Sequence, residues 1–404
     1  MAKPLHVLIA GGGIGGLTAA LSLLQRGIDV DVYEQSTELG EIGAGFQIGA
    51  NGARVLFALG LEPKLREVYS IPSGKEVRLW NTGQTWKLFD LGETSVERYG
   101  FPYFMIHRAD IHQILVDAIR ALKPDAIHLG KRAVGCEQDE HCATLRFADG
   151  SSAQGDALVG ADGVHSALRQ ALFGASVPVF TGCVAWRGLV PARELPEHLL
   201  NPVGTNWVGP GGHIVHYFLR RGEIFNFVAV VERSDWKVES WTERGSAKEC
   251  AADFAGWHED VQSMISKLDS PYKWALLGRE PMQRWSIGRA TLLGDACHPT
   301  LPFLAQGAGM AIEDGYVLAR CLETYADNVP TALRRYEAAR IERTSRVVHG
   351  SAENGRRFHS NVLSNAEEAE IYVTTEWQER RVEERYDWLF RYDATRVPLE
   401  AELT

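Results

Sequence analysis

The sequence predicts an α/β fold: a parallel-sheet layer, interrupted by an antiparallel-sheet domain and followed by C-terminal helices. The first observation is an apolar run at 5–10 (LHVLIA), typical of a buried parallel strand. The glycine loop 11–16 follows, then an Ala- and Leu-rich helical segment at 17–27 and a second strand at 29–35. This β–loop–α–β order opens a doubly wound fold.

The second observation is a change of pattern in the middle of the chain. Three stretches there are strand-like, namely 183–190, 213–219 and 223–231. The last two are separated by 220–222, a plausible hairpin turn, so the pattern predicts an antiparallel sheet. The third observation is that α/β character resumes at 289–296, with a helix from about Gln306. From 331 to about 384 the chain is helical, charged and amphipathic.

These patterns divide the chain into three parts. The predicted dinucleotide-binding layer comprises 1–70, 100–175 and 275–330, the sheet domain 71–99 and 176–274, and the C-terminal helical segment 331–404.

Composition bounds the possible partners and location. With 45% apolar and 23% charged residues, the 404-residue chain is an ordinary globular protein. A net charge of −10 argues against nucleic acid or an anionic membrane as partner, although a local basic pocket could still bind a small anion. The six cysteines show no CxxC spacing, so reduced thiols and a cytoplasmic location are expected. No signal peptide or metal site is predicted.

The glycine loop carries the first chemical indication. It reads Gly11-Gly12-Gly13-Ile14-Gly15-Gly16 and satisfies GxGxxG. Gly11 permits the tight turn, Gly13 lets the backbone approach a pyrophosphate, and Gly16 lets the helix pack on the strand. Glu34, next to Gln35 at the end of the second strand, would accept hydrogen bonds from a ribose diol. This site fits either FAD or NAD and disfavours NADP.

Two later segments narrow the choice. They are ALVGADGVHSALR (157–169) and ATLLGDACHPTLPFLAQGAGMAIED (290–314). With the glycine loop, they resemble the three fingerprints of single-component FAD-dependent aromatic hydroxylases. The segments 43–56, 103–115 and 387–393 resemble the group of salicylate hydroxylase, 3-hydroxybenzoate 6-hydroxylase and 6-hydroxynicotinate 3-monooxygenase. The resemblance implies an FAD-binding domain, a substrate-binding sheet domain, and NADH or NADPH docking transiently without a second dinucleotide fold.

The resemblance also assigns roles to residues. Asp295 would bind the ribityl chain of FAD, and the backbone of Gly307-Ala308 would face the flavin pyrimidine edge. Arg108 would contact the diphosphate, and Asp162 would support FAD and the nicotinamide cofactor. The alternatives are that the aspartates only form turns and that Arg108 pairs on the surface. Gln47 either faces the active site or is a buried structural amide.

Hydroxylation of a phenol by a flavin hydroperoxide needs an electron-rich ring, hence a base near the substrate hydroxyl, in a dry pocket. His213 and Tyr217 are the candidates, since they share one face of the strand 213–219 and match a His/Tyr pair of the family. His216 lies on the other face. His298 is expected to shape the turn above the flavin.

A substrate carboxylate would need a cation. Arg187, Arg220 and Arg221 lie in the sheet domain, and the sequence does not decide among them.

The resulting hypothesis is an NAD(P)H- and O2-dependent FAD monooxygenase acting on a small phenolic aromatic acid. The first choice is salicylate 1-hydroxylase forming catechol, because 302–306 (PFLAQ) is similar to salicylate-type members. 3-Hydroxybenzoate enzymes can carry glutamine at the Pro302 position, and 6-hydroxynicotinate enzymes histidine at the Gln47 and Phe303 positions. The alternatives outside this class are a flavin-dependent dehydrogenase or reductase without oxygen insertion, and a flavin-binding protein without catalysis. The C-terminal helices could cover the active site or form a homodimer contact.

Overall fold

A computed structural model describes residues 5–40, 44–235 and 243–400. Gly43, the first residue of the segment 43–56 singled out above, lies outside these ranges.

The strands of the described ranges are, in chain order, β1 His6–Ala10, β2 Asp29–Tyr33, β3 Gly45–Ile48, β4 Gly74–Leu79, β5 Thr85–Asp90, β6 Phe104–His107, β7 Ile127–His128, β8 Ala133–Gln138, β9 Ala143–Phe147, β10 Ser152–Gly155, β11 Ala157–Gly160, β12 Val179–Pro191, β13 Val203–Gly209, β14 Gly212–Leu219, β15 Ile224–Glu232, β16 Tyr272–Gly278, β17 Ser286–Ile287 and β18 Ala290–Leu292.

The α-helices of the same ranges are α1 Ile14–Leu24, α2 Ala50–Ala58, α3 Glu62–Val68, α4 Gly92–Tyr99, α5 Arg108–Leu122, α6 Ala167–Phe173, α7 Ala247–Asp253, α8 Glu259–Ser266, α9 Gly307–Thr324, α10 Val329–Phe358, α11 Ala366–Glu376 and α12 Glu379–Arg391. None of them is long and apolar enough to cross a membrane.

The parallel sheet collects the three sequence motifs at one edge. Its order is β17-β18-β11-β1-β2-β7, and β18, β11, β1, β2 and β7 run parallel. The glycine loop, Glu34, Asp162 and Gly294 therefore all follow carboxyl ends of neighbouring strands. Open α/β sheets bind ligands in the crevice at this edge.

The antiparallel sheet is the second layer. Its order is β16-β12-β15-β14-β13-β4-β5, antiparallel except for the pair β13 and β4. Thus the distant hairpin of β4 and β5 completes a sheet built mostly from the middle of the chain. The α/β class, with the antiparallel insertion and C-terminal helices, is confirmed.

The two faces of this sheet have different neighbours. We call the face that carries His213, Val215 and Tyr217 the inner face. Tyr217 packs there with residues of α2, α9, α10 and α12. The outer face carries Ile214 and Phe218 and packs on α7 and α8 through an apolar cluster. The strict alternation of side chains along β14 produces this division.

Three boundaries differ from the sequence interpretation. Helix α1 begins at Ile14, inside the glycine loop, because Gly16 packs against the loop and lets the helix start early. β16 continues the antiparallel sheet to Gly278, past the predicted boundary at 274, since Gly278 pairs with Val179. The last helix ends at Arg391 rather than near Glu384, since buried Leu389 and Phe390 extend its apolar face.

Candidate active site

The glycine loop has the shape that a pyrophosphate needs. Gly11 has a φ of 111°, and a Cβ added there would lie 2.2 Å from the carbonyl oxygen of Ala161. A Cβ on Gly16 would lie 2.1 Å from the Gly11 oxygen, so both positions require glycine. A Cβ on Gly13 would meet no atom within 4 Å, which leaves open space beside its backbone. Gly15 instead packs against Leu293, which belongs to segment 290–314, the third of the three sequence motifs.

Glu34 is held against the loop. Its carboxylate accepts hydrogen bonds from the backbone N–H of Gly12 at 2.7 Å and of Ser36 at 2.9 Å. Gln35 is exposed beside it. The carboxylate is thereby fixed next to the expected diphosphate position, where a ribose diol could also donate to it.

The third motif supplies an unpaired carboxylate and a helix end. Asp295 makes no hydrogen bond or ion pair with the described residues. Its side chain is exposed on one side yet closely surrounded by protein, which raises the pKa of its carboxyl, while His298 and Arg108 oppose the rise. The first N–H donated within α9 is that of Met310, so those of Gly307 and Ala308 are available for a ligand. An FAD ribityl chain and pyrimidine edge fit these donors and this acceptor.

Arg108 and Asp162 border the same edge. Arg108 begins α5 directly after β6, and its guanidinium lies 5.5 Å from the ring centre of Phe46. Asp162 accepts hydrogen bonds from the hydroxyl of Ser166 at 2.5 Å and the N–H of Leu168 at 3.1 Å. Asp162 therefore organises the start of α6, as a turn former would, and its nearness to Gly11 also allows contact with a ligand.

His298 serves a buried ion network. Its Nε2 lies 2.7 Å from Asp314, which also pairs with Arg340 of α10 at 2.7 Å. Asp314 in addition accepts the N–H of Gly294, at 3.2 Å. This ties the turn that bears Asp295 to α9 and α10, in agreement with the predicted turn-shaping role of His298.

His213 and Tyr217 both lie on the inner face, and His216 lies on the outer face. The ring of His213 packs 5.1 Å from that of Phe303, in the third motif. His216 instead accepts a hydrogen bond from Trp207 at 3.1 Å, and burial lowers its pKa to about 3. Burial also holds the pKa of His213 well below its ordinary value, with nearby His359 acting in the same direction.

Tyr217 lies against β3, which is outside the antiparallel sheet. Its ring touches Gly45, where an added Cβ would lie 2.8 Å from the Tyr217 hydroxyl. Gln47 accepts a hydrogen bond from Tyr103 at 2.7 Å and also hydrogen-bonds Tyr217. Gln47 is therefore a half-buried amide that hydrogen-bonds two tyrosines, one of them on the inner face.

Of the three candidate arginines, only Arg187 lies on the inner face. It stands in the cross-strand row of Val228 and Val215, between the positions of His213 and Tyr217. Burial raises the pKa of Tyr217, and the charge of Arg187 opposes this rise. Arg220 pairs with Asp110 at the surface, and Arg221 is exposed.

Sequence reasoning missed Lys75. Gly204 follows on from the pair Thr205–His216 and so stands opposite Tyr217, and Gly204 pairs with Lys75. Lys75 has no ion pair with the described residues, and its ammonium lies 5.3 Å from the ring centre of Tyr103. Burial lowers its pKa to about 8. No local pattern could have revealed it, because only the pairing of β4 with β13 brings it here.

Two further polar atoms of the inner face are buried and unpaired within the described residues. They are the side-chain oxygen of Asn206 and the side-chain nitrogen of Asn226. Buried polar groups are normally hydrogen-bonded, so this pair indicates a face that meets a polar ligand. A cleft of about 510 Å³ borders Tyr217 and Met105 and is also lined by the exposed side chains of Ile71 and Leu200.

His359 and Glu232 were also missed. Nδ1 of His213 lies 2.6 Å from Nε2 of His359, whose Nδ1 lies 3.1 Å from a carboxylate oxygen of Glu232. His213 and His359 are 146 positions apart, so no local pattern indicates their contact.

Comparison with known proteins agrees with this geometry. The family described as FAD binding domain matches residues 4–351. The 3-amino-4-hydroxybenzoate 2-monooxygenase PtnB3 of Streptomyces platensis is 40% identical over 97% of this chain and 97% of that protein. The 3-hydroxybenzoate 6-hydroxylase of Polaromonas naphthalenivorans is 38% identical over 96% of each chain. The 6-hydroxynicotinate 3-monooxygenase of Pseudomonas fluorescens is 36% identical over 99% of this chain and 98% of that protein.

Solved structures share the whole architecture. Klebsiella pneumoniae HpxO complexed with FAD and uric acid has a TM-score of 0.83 at 31% identity, covering 96% of this chain and 97% of its own. A salicylate hydroxylase substrate complex has a TM-score of 0.80 at 28% identity, covering 98% of this chain and 97% of its own.

The open space at Gly13 gives a test of the loop. Gly13→Ala is expected to leave folding intact, because its backbone is extended and the new methyl meets no protein atom. The methyl would occupy ligand space, so FAD affinity should fall by about tenfold, or about 1.4 kcal/mol. Flavin absorbance after dialysis measures occupancy. Gly135→Ala, equally free of contacts on β8, is the control; equal occupancy in both variants contradicts the assignment.

Proposed function

We propose that this member of the FAD-dependent aromatic hydroxylases inserts one oxygen atom into a hydroxylated aromatic carboxylate, with His213 as the base for the substrate hydroxyl. The chain belongs to that family by the match over residues 4–351 and by its full-length relatives. It is a monooxygenase that uses FAD, NAD(P)H and O2. When bound, FAD takes electrons from NAD(P)H and, with O2, supplies an electrophilic oxygen atom.

The observation that carries this proposal is a neutral, buried histidine on the inner face. His213 is only 2% exposed, and its pKa lies well below the ordinary value, so it is uncharged at neutral pH. Its Nδ1 is engaged by His359, which leaves Nε2 for the substrate. An uncharged imidazole can accept a phenolic proton, which makes the ring a better nucleophile towards the oxygen.

Tyr217 would orient the substrate from the same strand. Burial raises the pKa of its hydroxyl, so it stays protonated and donates a hydrogen bond. Its contact with Gln47 positions it against β3. The surrounding side chains, including Leu304, Met310 and Phe303, are apolar and exclude water.

Lys75 and Arg187 support a carboxylate as the second recognised group. They lie on opposite sides of β14 on the inner face; Lys75 contacts the ring of Tyr103, and the charge of Arg187 acts on Tyr217. An unpaired ammonium in a closely packed site is costly, so a bound anion would stabilise it. The presence of Lys75 and Arg187 on the inner face of a protein of net charge −10 favours an anionic substrate.

The choice of acid rests on the substrates of similar proteins rather than on the geometry of the site. The relatives are named for 3-amino-4-hydroxybenzoate, 3-hydroxybenzoate and 6-hydroxynicotinate, and a structural neighbour for salicylate. All four compounds carry a ring hydroxyl and a carboxylate, which are the two groups that His213 and the cations would bind. Salicylate, favoured by Pro302 to Gln306, is therefore one member of the proposed substrate class.

A screen of these four acids tests the function. Purified holoenzyme is given each acid with NADH or NADPH under labelled O2, and cofactor oxidation and labelled product are followed together. At least one acid should yield a product with one labelled oxygen atom per NAD(P)H oxidised. Cofactor oxidation with only hydrogen peroxide for every acid would reject the substrate class.

His213→Ala is expected to lower the hydroxylation rate by about a hundredfold or more, as expected for loss of a general base, while FAD content stays unchanged. Product formation is measured against flavin occupancy. The control is His216→Ala, on the opposite face of the same strand. If His216→Ala impairs hydroxylation and His213→Ala does not, the assignment of the base is wrong.

Lys75→Met should raise KM for the acid by about tenfold to a hundredfold, the range for a hydrogen bond to a charged group. With a pKa of about 8, the wild-type ammonium loses its charge above that pH, so wild-type kcat/KM should fall as pH rises through about 8. The variant should lack this decline. Lys87→Met, an exposed lysine on β5, is the control. An unchanged KM in Lys75→Met would show that Lys75 does not bind the acid.

A further inference from the structure

Three side chains form a continuous line from the inner face to the surface. Nδ1 of His213 lies 2.6 Å from Nε2 of His359, and Nδ1 of His359 lies 3.1 Å from Oε1 of Glu232. The three residues come from β14, the C-terminal end of α10 and the end of β15. Both imidazoles are buried, whereas the side chain of Glu232 is 58% exposed. The line thus has one end at the proposed substrate position and the other in solvent.

The hydrogen-bonding capacity of each group fixes the protons along the line. A carboxylate only accepts hydrogen bonds, so Nδ1 of His359 must carry the proton that faces Glu232. In the neutral ring, Nε2 of His359 is then an acceptor, and Nδ1 of His213 must donate to it. Nε2 of His213 is left with a free lone pair. Glu232 therefore sets His213 in the tautomer that a base needs, through the intervening ring.

We propose that His359 and Glu232 form a proton relay that connects His213 with solvent. This inference rests on the proposed function of His213. The O–H bond of the substrate breaks and an N–H bond forms at Nε2 of His213, while the Nδ1 proton of His213 moves to Nε2 of His359. The Nδ1 proton of His359 moves to Glu232, which releases it to water. Transfer in the opposite direction, to the product oxygen, restores both starting tautomers.

The surroundings favour transfer along the line. Aromatic rings of Phe303 and Phe358 flank His213 at 5.1 and 5.0 Å and offer no competing acceptor. On β12, burial and then the charge of Glu232 raise the pKa of Cys183 to about 11, so this thiol stays protonated. Burial likewise raises the pKa of Tyr372 of α11.

The neighbouring cations have other partners. Arg233, next to Glu232, pairs with Asp235 and Asp253. Arg357 of α10 pairs with Glu353 and Glu376. Burial lowers the pKa of His359, and Glu232 is the charge that opposes this.

The test uses the holoenzyme with an acid that it hydroxylates. Glu232→Gln keeps the size of the side chain but cannot take up a proton. It should lower kcat by about tenfold and move the acidic limb of the kcat/KM profile to lower pH, because the charge that raises the basicity of the histidine pair is lost. His359→Gln should give the same change, and Glu232→Asp should restore part of the rate. Glu223→Gln, an exposed carboxylate before the same strand, is the control.

The solvent isotope effect on kcat adds an independent readout. The size of this isotope effect should differ from the wild-type value in both Glu232→Gln and His359→Gln. In Glu223→Gln it should equal the wild-type value. If the two variants keep the wild-type pH profile and isotope effect, or lose rate equally at every pH without rescue by Glu232→Asp, the relay is wrong. Failure of the wild type to hydroxylate any acid instead rejects the proposed function itself.

Discussion

The site depends on a buried ion network in which Arg340 of α10 neutralises two adjacent carboxylates of α9. Arg340, Glu313 and Asp314 are fully buried, and Arg340 lies 2.7 Å from each carboxylate. Arg343 adds a second cation at 2.8 Å from Glu313, and Asn51 of α2 donates to the same carboxylate at 2.6 Å. Two neighbouring buried anions are stable only with such partners, and removing one partner from a buried pair typically costs about 3–5 kcal/mol.

This network ties the start of α9 to α10 and α2. Burial raises the pKa of both carboxyls, but the positive charges outweigh it and hold both below their ordinary values. The carboxylates are therefore ionised in the folded protein, and the stability that they contribute is present at neutral pH and is lost in acid. Asp314 also accepts the N–H of Gly294 and contacts His298, so the network holds the turn that bears Asp295 in place. Pre-organised donors and acceptors of this kind bind a cofactor without reordering.

Much of the fold, and part of the site, could be predicted because the informative residues are local in sequence. The glycine spacing and the alternation along β14 depend on neighbours within about one turn or strand, and Glu34 follows the glycine loop within a single β–α–β unit. Asp162 was harder to interpret, since one carboxylate can both start a helix and face a ligand. Lys75, His359 and Glu232 depend on pairings between distant segments. No periodicity marks such residues, and their chemistry arises only from the partner that the tertiary fold supplies.

The two sheets differ in the groups that they offer to a ligand. The parallel sheet presents backbone N–H groups and glycines, which suit phosphates and a flavin edge that this whole family binds. The antiparallel sheet presents side chains on a wide inner face, where one substitution changes one contact. Lys75, Asn206 and Asn226 project from that face, and the strands that carry them pair through backbone hydrogen bonds. Replacing one of these side chains therefore leaves the strand pairing unchanged. Substrate choice can therefore vary while the cofactor site stays the same.

The order of the parallel sheet has a consequence for biosynthesis. β1 and β18 lie two positions apart in that sheet although 280 residues separate Ala10 from Ala290 along the chain. The glycine loop leaves the ribosome early, but Asp295 and the start of α9 arrive late, and Arg340 arrives later still. A nascent or truncated chain that ends before β18 thus lacks Asp295 and the start of α9, and one that ends before α10 lacks the arginine that neutralises Glu313 and Asp314. Flavin retention can consequently report that synthesis and folding have passed these segments, and the bound cofactor stabilises only chains that contain them.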